Sequence, residues 1–213
     1  MITMAIPTGY LLPGALAVLR TAGLADLQVE DLGRRLVVDV NSQLRLITVR
    51  PQDVPVYVDH GSADLGIVGK DALWETERVH YELVDLAFGA CRLVMAVPEK
   101  SPIGPLENWP PFLRAATKYT AASRRFFTSR AQDVELIKLY GSVELGPLTG
   151  LADCVVDLTA TGNTLRANHL REVVEVGRST ARLIANQVSL RTSGPAVQEL
   201  VSRMRTAAQT APA

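Results

Sequence analysis

Short apolar runs alternate with helical stretches along most of the chain. Residues 2–6 have the length and composition of a strand, and the apolar positions of 12–19 recur at the i, i+3, i+4, i+7 spacing of an amphipathic helix ending near Gly23. Further strands are predicted at 36–40, 44–49 and 65–68, and a short helix at 53–59. Strand, helix and strand in repetition predict an α/β protein with a largely parallel sheet.

The second half of the chain continues this alternation after a strong apolar run at 91–97. Four prolines make 100–111 a rigid exposed loop in this prediction. Later strands are expected at 115–119, 134–139, 153–158, 173–176 and 181–188, one helix at 121–129, and a closing helix from Gly194-Pro195 to a frayed tail at 206–213. Because no change of composition marks a linker, strands would have to carry the chain between any two lobes.

Composition narrows the function classes. The 213 residues include 22 Lys plus Arg and 22 Asp plus Glu, and only 5% are aromatic, so neither a basic surface nor a base-stacking surface for nucleic acid is expected. No apolar run approaches the ~20 residues of a membrane span, and Pro7 follows a start without basic residues, so we expect a cytoplasmic protein with no signal peptide and no membrane contact. Cys91 and Cys154 are expected to be buried free thiols.

One segment combines an apolar strand, an acid and a run of small hydroxyl residues. The strand reaches Asp157 and continues into Thr159, Thr161, Gly162 and Thr164 before a predicted amphipathic helix. Backbone N–H groups of a loop that enters a helix point one way, and the helix dipole adds about half a positive charge, so the segment predicts a phosphate-binding loop. Asp157 would serve sugar hydroxyls or a Mg²⁺-bound water. The alternative is an ordinary strand–turn–helix in which Thr164 caps the helix. Three threonines and a glycine after an acid are more than a helix cap requires.

This acid-ended strand before T-G-x-T resembles the phosphoribosyl-pyrophosphate (PRPP) loop of phosphoribosyltransferases. The common Rossmann-type members usually have two adjacent acids there, whereas Asp157 is followed by Leu158, which indicates a different family. The sequence resembles the ATP phosphoribosyltransferase family over nearly its whole length, in the motifs at 50–55, 61–71, 116–119, 137–153 and 166–170.

The resemblance implies both a fold and a reaction. The fold is similar to two-lobed type II periplasmic binding proteins, an α/β architecture of mixed, mostly parallel sheets flanked by helices. The lobes are expected at 1–88 plus 178–213 and at 89–177, with the nucleotide cleft between them. The reaction is a pentosyl transfer, the first step of histidine biosynthesis, in which PRPP and ATP give phosphoribosyl-ATP and pyrophosphate. Mg²⁺ would be bound mainly through the substrate phosphates.

The resemblance also implies site residues. Arg34 and Arg50 are the catalytic candidates, of which Arg34 matches an arginine that the family places on the diphosphate. Substrate-binding positions are Gly9, Glu144, Asp157, Thr159, Ala160, Thr161, Gly162, Asn163 and Thr164. Lys70 and Lys118 are weaker candidates, because a lone surface cation is usually just solvated.

One departure concerns the first strand, where family members have Lys-Gly-Arg and this chain has Thr8-Gly9-Tyr10. Gly9 is kept, but two cations are missing, so Arg34, Arg35, Mg²⁺ or a partner would have to compensate. His60 and His80 are expected on the surface. His169 is expected in the helix after the loop.

The chain ends soon after the catalytic region, as expected for the short form of the family. That form implies a separate regulatory subunit related to histidyl-tRNA synthetase, a hetero-octamer with it, and a dimer of the catalytic chain alone. Two alternatives stay open. One is a two-lobed solute-binding or effector domain without catalysis, and the other is an inactive subunit kept for assembly, as Thr8 and Tyr10 suggest.

Overall fold

The computed structural model describes residues 1–76, 78–105, 109–192 and 194–210. The strands are β1 (Ile2–Pro7), β2 (Val37–Asp39), β3 (Leu44–Val49), β4 (Leu65–Gly69), β5 (Tyr81–Asp85), β6 (Cys91–Pro98), β7 (Phe112–Thr117), β8 (Asp133–Lys138), β9 (Cys154–Thr159), β10 (Leu170–Ser179) and β11 (Ala181–Ala185). The helices are α1 (Leu12–Thr21), α2 (Val29–Leu32), α3 (Val54–Asp59), α4 (Lys70–Trp74), α5 (Thr120–Thr128), α6 (Leu145–Leu148), α7 (Asn163–Ala167), α8 (Gln187–Thr192) and α9 (Gly194–Thr210). None of these helices is long and apolar enough to cross a membrane.

The chain forms two compact units, and the first contains Met1–Gly89 together with the chain from Thr180 onward. Its sheet has the order β2-β3-β1-β4-β11-β5. β1 is parallel to β3 and β4, whereas β11 runs antiparallel to β4 and β5. The last part of the chain therefore supplies a strand to the first sheet.

Both faces of this first sheet are covered. Met4 and Ile6 of β1 pack with residues of α1 and α9, while Ala5 between them packs with residues of α3 and α4. Gly66 of β4 allows the close approach of α3, because a β-carbon there would lie 2.7 Å from Val54 Cγ1. Gly66 therefore has a packing role in this sheet.

The second unit contains Ala90–Ser179. Its sheet has the order β10-β6-β9-β7-β8, with β7 parallel to β8 and β9, and β6 antiparallel to β9 and β10. Two mixed sheets flanked by helices confirm the predicted α/β fold class. The sheets are not mostly parallel as predicted, because five of the nine strand pairs in the described residues are antiparallel. The parallel pairs are confined to β1, β3 and β4 in one sheet and β7 to β9 in the other.

Several local predictions were wrong. Helix α9 continues to Thr210 with Ala207 and Ala208 buried, so 206–210 are not frayed, and 211–213 lie outside the described residues. The predicted strand at 181–188 divides at Asn186, whose side-chain oxygen accepts the N–H of Val188 at the start of α8. Part of the predicted proline-rich loop, 106–108, also lies outside the described residues.

Strand boundaries also differ from the predictions. β5 has no counterpart in the sequence prediction. β10 extends over ten residues instead of the four at 173–176, because its backbone pairs with nearly all of β6.

The histidines and cysteines correct three further expectations. The side chain of His80 is only 3% exposed and its Nδ1 lies 3.1 Å from Asp59 Oδ1, so His80 is not a surface residue. His169 follows α7 with a φ of 54° and lies outside the helix. Neither cysteine forms a disulfide, but only Cys154 is buried and Cys91 is half-buried.

Candidate active site

The predicted phosphate loop joins β9 to α7 in the second unit. Asp157 lies within β9 opposite Val94 of β6, and the strand ends at Thr159. Gly162, directly before α7, has a φ of 75°, a left-handed conformation that a residue with a side chain adopts only with strain. The chain thus turns sharply from strand to helix within three residues, as the sequence predicted.

Hydrogen bonds within the loop fix its shape and leave other donors free. The N–H of Gly162 donates to Thr159 Oγ1 at 2.8 Å. The N–H groups of Thr161, Thr164 and Leu165 have no acceptor within the described parts of the chain. These free donors are available to a bound anion, since the first N–H groups of a helix lack partners inside it.

The helix after the loop is shorter than predicted. α7 has only five residues, Asn163–Ala167, instead of an extended amphipathic helix. A helix macrodipole is the sum of aligned peptide dipoles, and a helix of this length therefore has only a small one. The anion-binding capacity of the loop therefore comes mainly from its individual N–H groups and threonine hydroxyls.

Asp157 is the residue with the most perturbed electrostatics beside the loop. Its pKa is raised to about 6, mainly by burial and also by the negative charge of Glu144, while the N–H of Leu158 and the charge of Lys118 oppose the shift. Glu144, half-buried, directly precedes α6. The structure thus brings Glu144 and Lys118, two predicted candidates, within electrostatic range of Asp157.

A buried threonine positions the chain around Lys118. Thr117 Oγ1 donates to the carbonyl of Val156 at 2.7 Å and accepts the N–H of Tyr119 at 2.9 Å. These bonds tie the end of β7 to β9 one residue before Asp157. Lys118, between the two bonded positions, is exposed at the strand end.

Three charged residues near the loop were not among the predicted site residues. Arg166 donates from Nη2 to the carbonyl of Thr161 at 2.9 Å, and Glu172 Oε1 lies 3.2 Å from the position of a β-carbon on Gly162. Arg92 binds Glu172 with two hydrogen bonds of 2.7 and 3.0 Å. Arg166 lies in a motif of the family resemblance, but the Arg92 pair is invisible in the sequence because 80 residues separate its partners.

The remaining candidates lie in the first unit, at the carboxyl ends of adjacent strands. Gly9 follows β1 and Arg50 follows β3, and these strands are paired up to Pro7 and Val49. Arg34 lies near the same edge, because the N–H of Thr48 donates to the carbonyl of Leu36 at 2.8 Å.

The cations of this edge differ in their contacts. Lys70 forms an ion pair with Glu82, so its charge is already compensated. The side chains of Arg34 and Arg50 are exposed, and within the described residues neither has a hydrogen-bond or ion-pair partner. Their charges are therefore free to bind an anionic ligand.

Metal-binding potential is limited in this part of the chain. The described residues contain no cluster of three or more His, Cys, Asp or Glu side chains that could hold a metal ion. The phosphates of a substrate are oxygen ligands of the kind that Mg²⁺ prefers.

Comparisons with known proteins support the family resemblance. A profile of the ATP phosphoribosyltransferase family matches residues 50–206. The ATP phosphoribosyltransferase of Rubrobacter xylanophilus is 48% identical over 190 residues, which are 88% of each chain. That of Thermoanaerobacter sp. strain X514 is 41% identical over 210 residues, covering 98% of this chain and 97% of the relative.

Solved structures agree with this result. A chain of the ATP phosphoribosyl transferase (HisG:HisZ) complex from Thermotoga maritima matches with a TM-score of 0.82 and 30% identity, over 99% of this chain and 100% of that one. The periplasmic aliphatic sulphonate binding protein SsuA from Escherichia coli matches with a TM-score of 0.63 over 97% of this chain and 72% of that one, but at 12% identity it shares only the fold. The predicted family is confirmed, and the chain belongs to the ATP phosphoribosyltransferase family.

Proposed function

We propose that this chain transfers the phosphoribosyl group of PRPP to N1 of the adenine of ATP, the first step of histidine biosynthesis. The adenine nitrogen attacks C1 of the ribose, the bond from C1 to the diphosphate oxygen breaks, and pyrophosphate leaves with the electron pair. N1 is a neutral ring nitrogen with a free lone pair, so no general base is required. The observation that supports this most is the loop from Asp157 to Thr164 in a chain of this family.

In this proposal the loop binds the 5-phosphate of PRPP. The free N–H groups of Thr161, Thr164 and Leu165 would donate to the phosphate oxygens. The hydroxyl of Thr159 already bonds the N–H of Gly162 and keeps the loop in shape. Ala160 and Asn163 would contribute as part of the backbone that forms the loop around the 5-phosphate. Bound in this way, the ribose has a fixed orientation, and alignment of C1 with the nucleophile accelerates the reaction.

The carboxylates next to the loop are suited to the sugar. Asp157 is ionised above its raised pKa of about 6, so at neutral pH it can accept hydrogen bonds from ribose hydroxyls. Glu144 raises that pKa and so lies within electrostatic range of Asp157. We assign both side chains to the ribose and not to proton transfer with the nucleophile.

The arginines of the first unit are assigned to the diphosphate. Negative charge accumulates on the leaving group as the bond to C1 breaks, and fixed positive charge at that point lowers the barrier. Arg34 and Arg50 are exposed cations without partners among the described residues, and Gly9 lies at the same strand edge. Arg34 is ranked first, because it matches an arginine that the family places on the diphosphate. Thr8 and Tyr10 leave no cation next to Gly9, so its charge would matter more.

Mg²⁺ fits this site as a companion of the substrate. Asp157 and Glu144 offer the hard carboxylate oxygens that Mg²⁺ prefers, and Mg²⁺ usually keeps several waters and binds through substrate phosphates. When bound, the ion would neutralise part of the diphosphate charge. The two carboxylates would hold its water shell from the side of the ribose.

A regulatory partner is part of the proposal. The Thermotoga maritima chain, which is matched over 100% of its own length, comes from a two-component complex, HisG:HisZ. We infer a partner of the same kind, a subunit related to histidyl-tRNA synthetase, in a hetero-octamer, with a dimer of the catalytic chain when the partner is absent. We place the enzyme in the cytoplasm, where Cys91 and Cys154, which form no disulfide, would stay reduced.

The alternatives are less well supported. A solute-binding or effector domain would share the fold, and such proteins match here at 11–14% identity, which carries no information about activity. An inactive subunit would explain Thr8 and Tyr10. It would leave the intact loop and the free Arg34 without a role.

Release of pyrophosphate tests the proposal and separates the alternatives. The protein is mixed with ATP and PRPP, with ATP alone and with PRPP alone, each with and without the partner subunit. An enzyme releases pyrophosphate only when both substrates are present. A binding domain releases none under any condition, and an inactive subunit binds the partner but adds no turnover.

A further inference from the structure

Arg166 lies across the phosphate loop. Its Nη2 donates to the carbonyl of Thr161 at 2.9 Å and to Asn163 Oδ1 at 2.5 Å. Its Nη1 lies 2.8 Å from the position that a β-carbon on Gly162 would occupy. The guanidinium therefore covers the surface of the loop at the residue whose backbone turns from strand to helix.

The charges around Arg166 leave it as the uncompensated cation of the loop. The carboxylate of Glu172 approaches Gly162 as well, but Arg92 binds it with two hydrogen bonds, so the charge of Glu172 is already compensated. Lys118 acts on Asp157. Within the described residues, Arg166 has no carboxylate at ion-pair distance, and its hydrogen bonds go to a carbonyl and an amide.

We propose that Arg166 binds the 5-phosphate of PRPP and sets the affinity of the loop for it. The inference rests on the proposed role of the loop and extends it, since neither the free N–H groups nor the threonine hydroxyls bring a full charge. Arg166 would act as a substrate-binding residue on the side of the ribose phosphate, distant in role from Arg34 and Arg50, which are assigned to the diphosphate.

The physical reason is an exchange of weak acceptors for a strong one. Hydrogen bonds of a guanidinium to phosphate are roughly twice as strong as those between neutral groups. A phosphate held by the N–H groups of Thr161 and Thr164 would offer oxygens beside Gly162, where Nη1 of Arg166 already points.

The experiment compares two ligands that each contain one end of PRPP. Ribose 5-phosphate has the 5-phosphate without the diphosphate, and pyrophosphate has the opposite. Dissociation constants for both are measured by calorimetry on the full chain, for the wild type and for Arg166→Gln and Arg166→Lys. Arg124→Gln is the matched control, because Arg124 is an exposed arginine on α5 of the same unit.

We expect Arg166→Gln to weaken ribose 5-phosphate about tenfold to a hundredfold, the range for loss of a charged hydrogen bond. Pyrophosphate should bind nearly as in the wild type. Arg166→Lys should recover part of the affinity, since a single ammonium replaces the fork of the guanidinium. Arg124→Gln should leave both affinities unchanged.

Salt separates a direct charge contact from support of the loop shape. If Arg166 binds the phosphate, the difference between wild type and Arg166→Gln shrinks as ionic strength rises, because salt screens exposed charges. An unchanged affinity for ribose 5-phosphate, an equal loss for pyrophosphate, or a loss independent of salt would overturn the inference. Gly162→Val tests the role of the loop separately from the role of Arg166. If Gly162→Val binds ribose 5-phosphate like the wild type, the assignment of the loop to the 5-phosphate is wrong. If Gly162→Val loses this binding while Arg166→Gln keeps it, only the role of Arg166 is wrong.

Discussion

Single residues decide the chemistry of this site, and Asp157 shows how. Its carboxylate lies in a sheet strand, where burial and the charge of Glu144 both disfavour ionisation. The N–H of Leu158 and the charge of Lys118 favour the ionised form and offset part of this effect. The protein thus keeps a charged group in a place that destabilises it, which is common where a group serves a ligand.

Asp157→Asn should therefore stabilise the protein at high pH while it impairs PRPP binding. The folded-state pKa is raised from 3.8 to about 6, so the folded state holds a proton more tightly than the unfolded state. Stability from this group is full below pH 4, falls as pH rises towards 6, and stays low above it. A shift of about two units corresponds to at most ~3 kcal/mol.

Urea unfolding at pH 4 and pH 8 measures this effect. The variant should exceed the wild type in free energy of unfolding at pH 8 and equal it near pH 4. A wild-type advantage at pH 8 would show that the ionised carboxylate is stabilised and not penalised.

Arg34→Ala should slow the chemical step by about 10²–10³, as for loss of one preorganised donor where charge develops. ATP binding should change much less, and Arg34→Lys should recover only part of the rate. Arg35→Ala is the matched comparison. The sequence left Arg35 as another cation that could compensate, but its guanidinium already donates to the carbonyl of Asp31, so its loss should change the rate much less than loss of Arg34. Single-turnover kinetics measures the step, and an unchanged rate in Arg34→Ala would make Arg50 the next candidate.

At the scale of elements, the site depends on a strand-to-helix turn whose geometry is set by one glycine. Gly162 combines a φ of 75° with two charged side chains in the space that a β-carbon would enter. The sharp turn leaves the N–H groups of Thr161 and Thr164 without partners among the described residues. The shape of the loop is therefore what leaves these N–H donors free.

Gly162→Val should abolish PRPP binding without unfolding the protein. A β-branched side chain is strained at this φ and would displace the guanidinium of Arg166, 2.8 Å from the β-carbon position. The loop lies at the end of the strand, so the sheet should persist. Calorimetry with PRPP and circular dichroism of the same sample test both halves, and normal PRPP affinity in the variant would be incompatible with the loop assignment.

The last turns of α9 provide an independent element-scale test. Ala207 is 2% exposed, although the sequence suggested a frayed tail. Ala207→Glu would bury an unpaired charge and should cost at least about 2 kcal/mol of unfolding free energy. Gln209→Glu, at an exposed position of the same turn, should have almost no effect in the same urea titration. Equal stability of the two variants would mean that the helix end is not packed.

At the scale of the whole molecule, each unit places its candidate residues at the carboxyl ends of parallel strands. In the first unit Gly9 follows β1 and Arg50 follows β3, and in the second unit Lys118 follows β7. Ligands of open α/β sheets bind at such edges. The same rule thus predicts, without any motif, the strand edge at which each unit would bind its part of the substrates.

The sequence was informative wherever local pattern and burial coincide. The alternation of Met4, Ala5 and Ile6 between the two faces of the first sheet follows the period of two, and the loop around Gly162 has a distinctive composition. Long-range contacts were out of reach. The length of β10 depends on its pairing with β6, and the burial of His80 depends on Asp59, so no local window reveals either.

Regulation is a property of the assembly in this proposal. Histidine should inhibit the isolated chain weakly, and addition of the synthetase-like subunit should lower the half-inhibiting histidine concentration by about 5- to 150-fold, the usual range of allosteric coupling. Initial rates with and without the partner measure this, with arginine as the control amino acid. Tight binding of histidine to the purified chain alone would contradict the prediction.

The most direct test of the central proposal follows the new bond itself. ATP labelled with ¹⁵N at N1 of the adenine is mixed with PRPP labelled with ¹³C at C1 of the ribose, and the product is examined by NMR. Transfer to N1 predicts a one-bond ¹³C–¹⁵N coupling in the product and one pyrophosphate released per product formed. Pyrophosphate release without that coupling, or no product in the presence of both substrates and the partner, would contradict the proposed reaction.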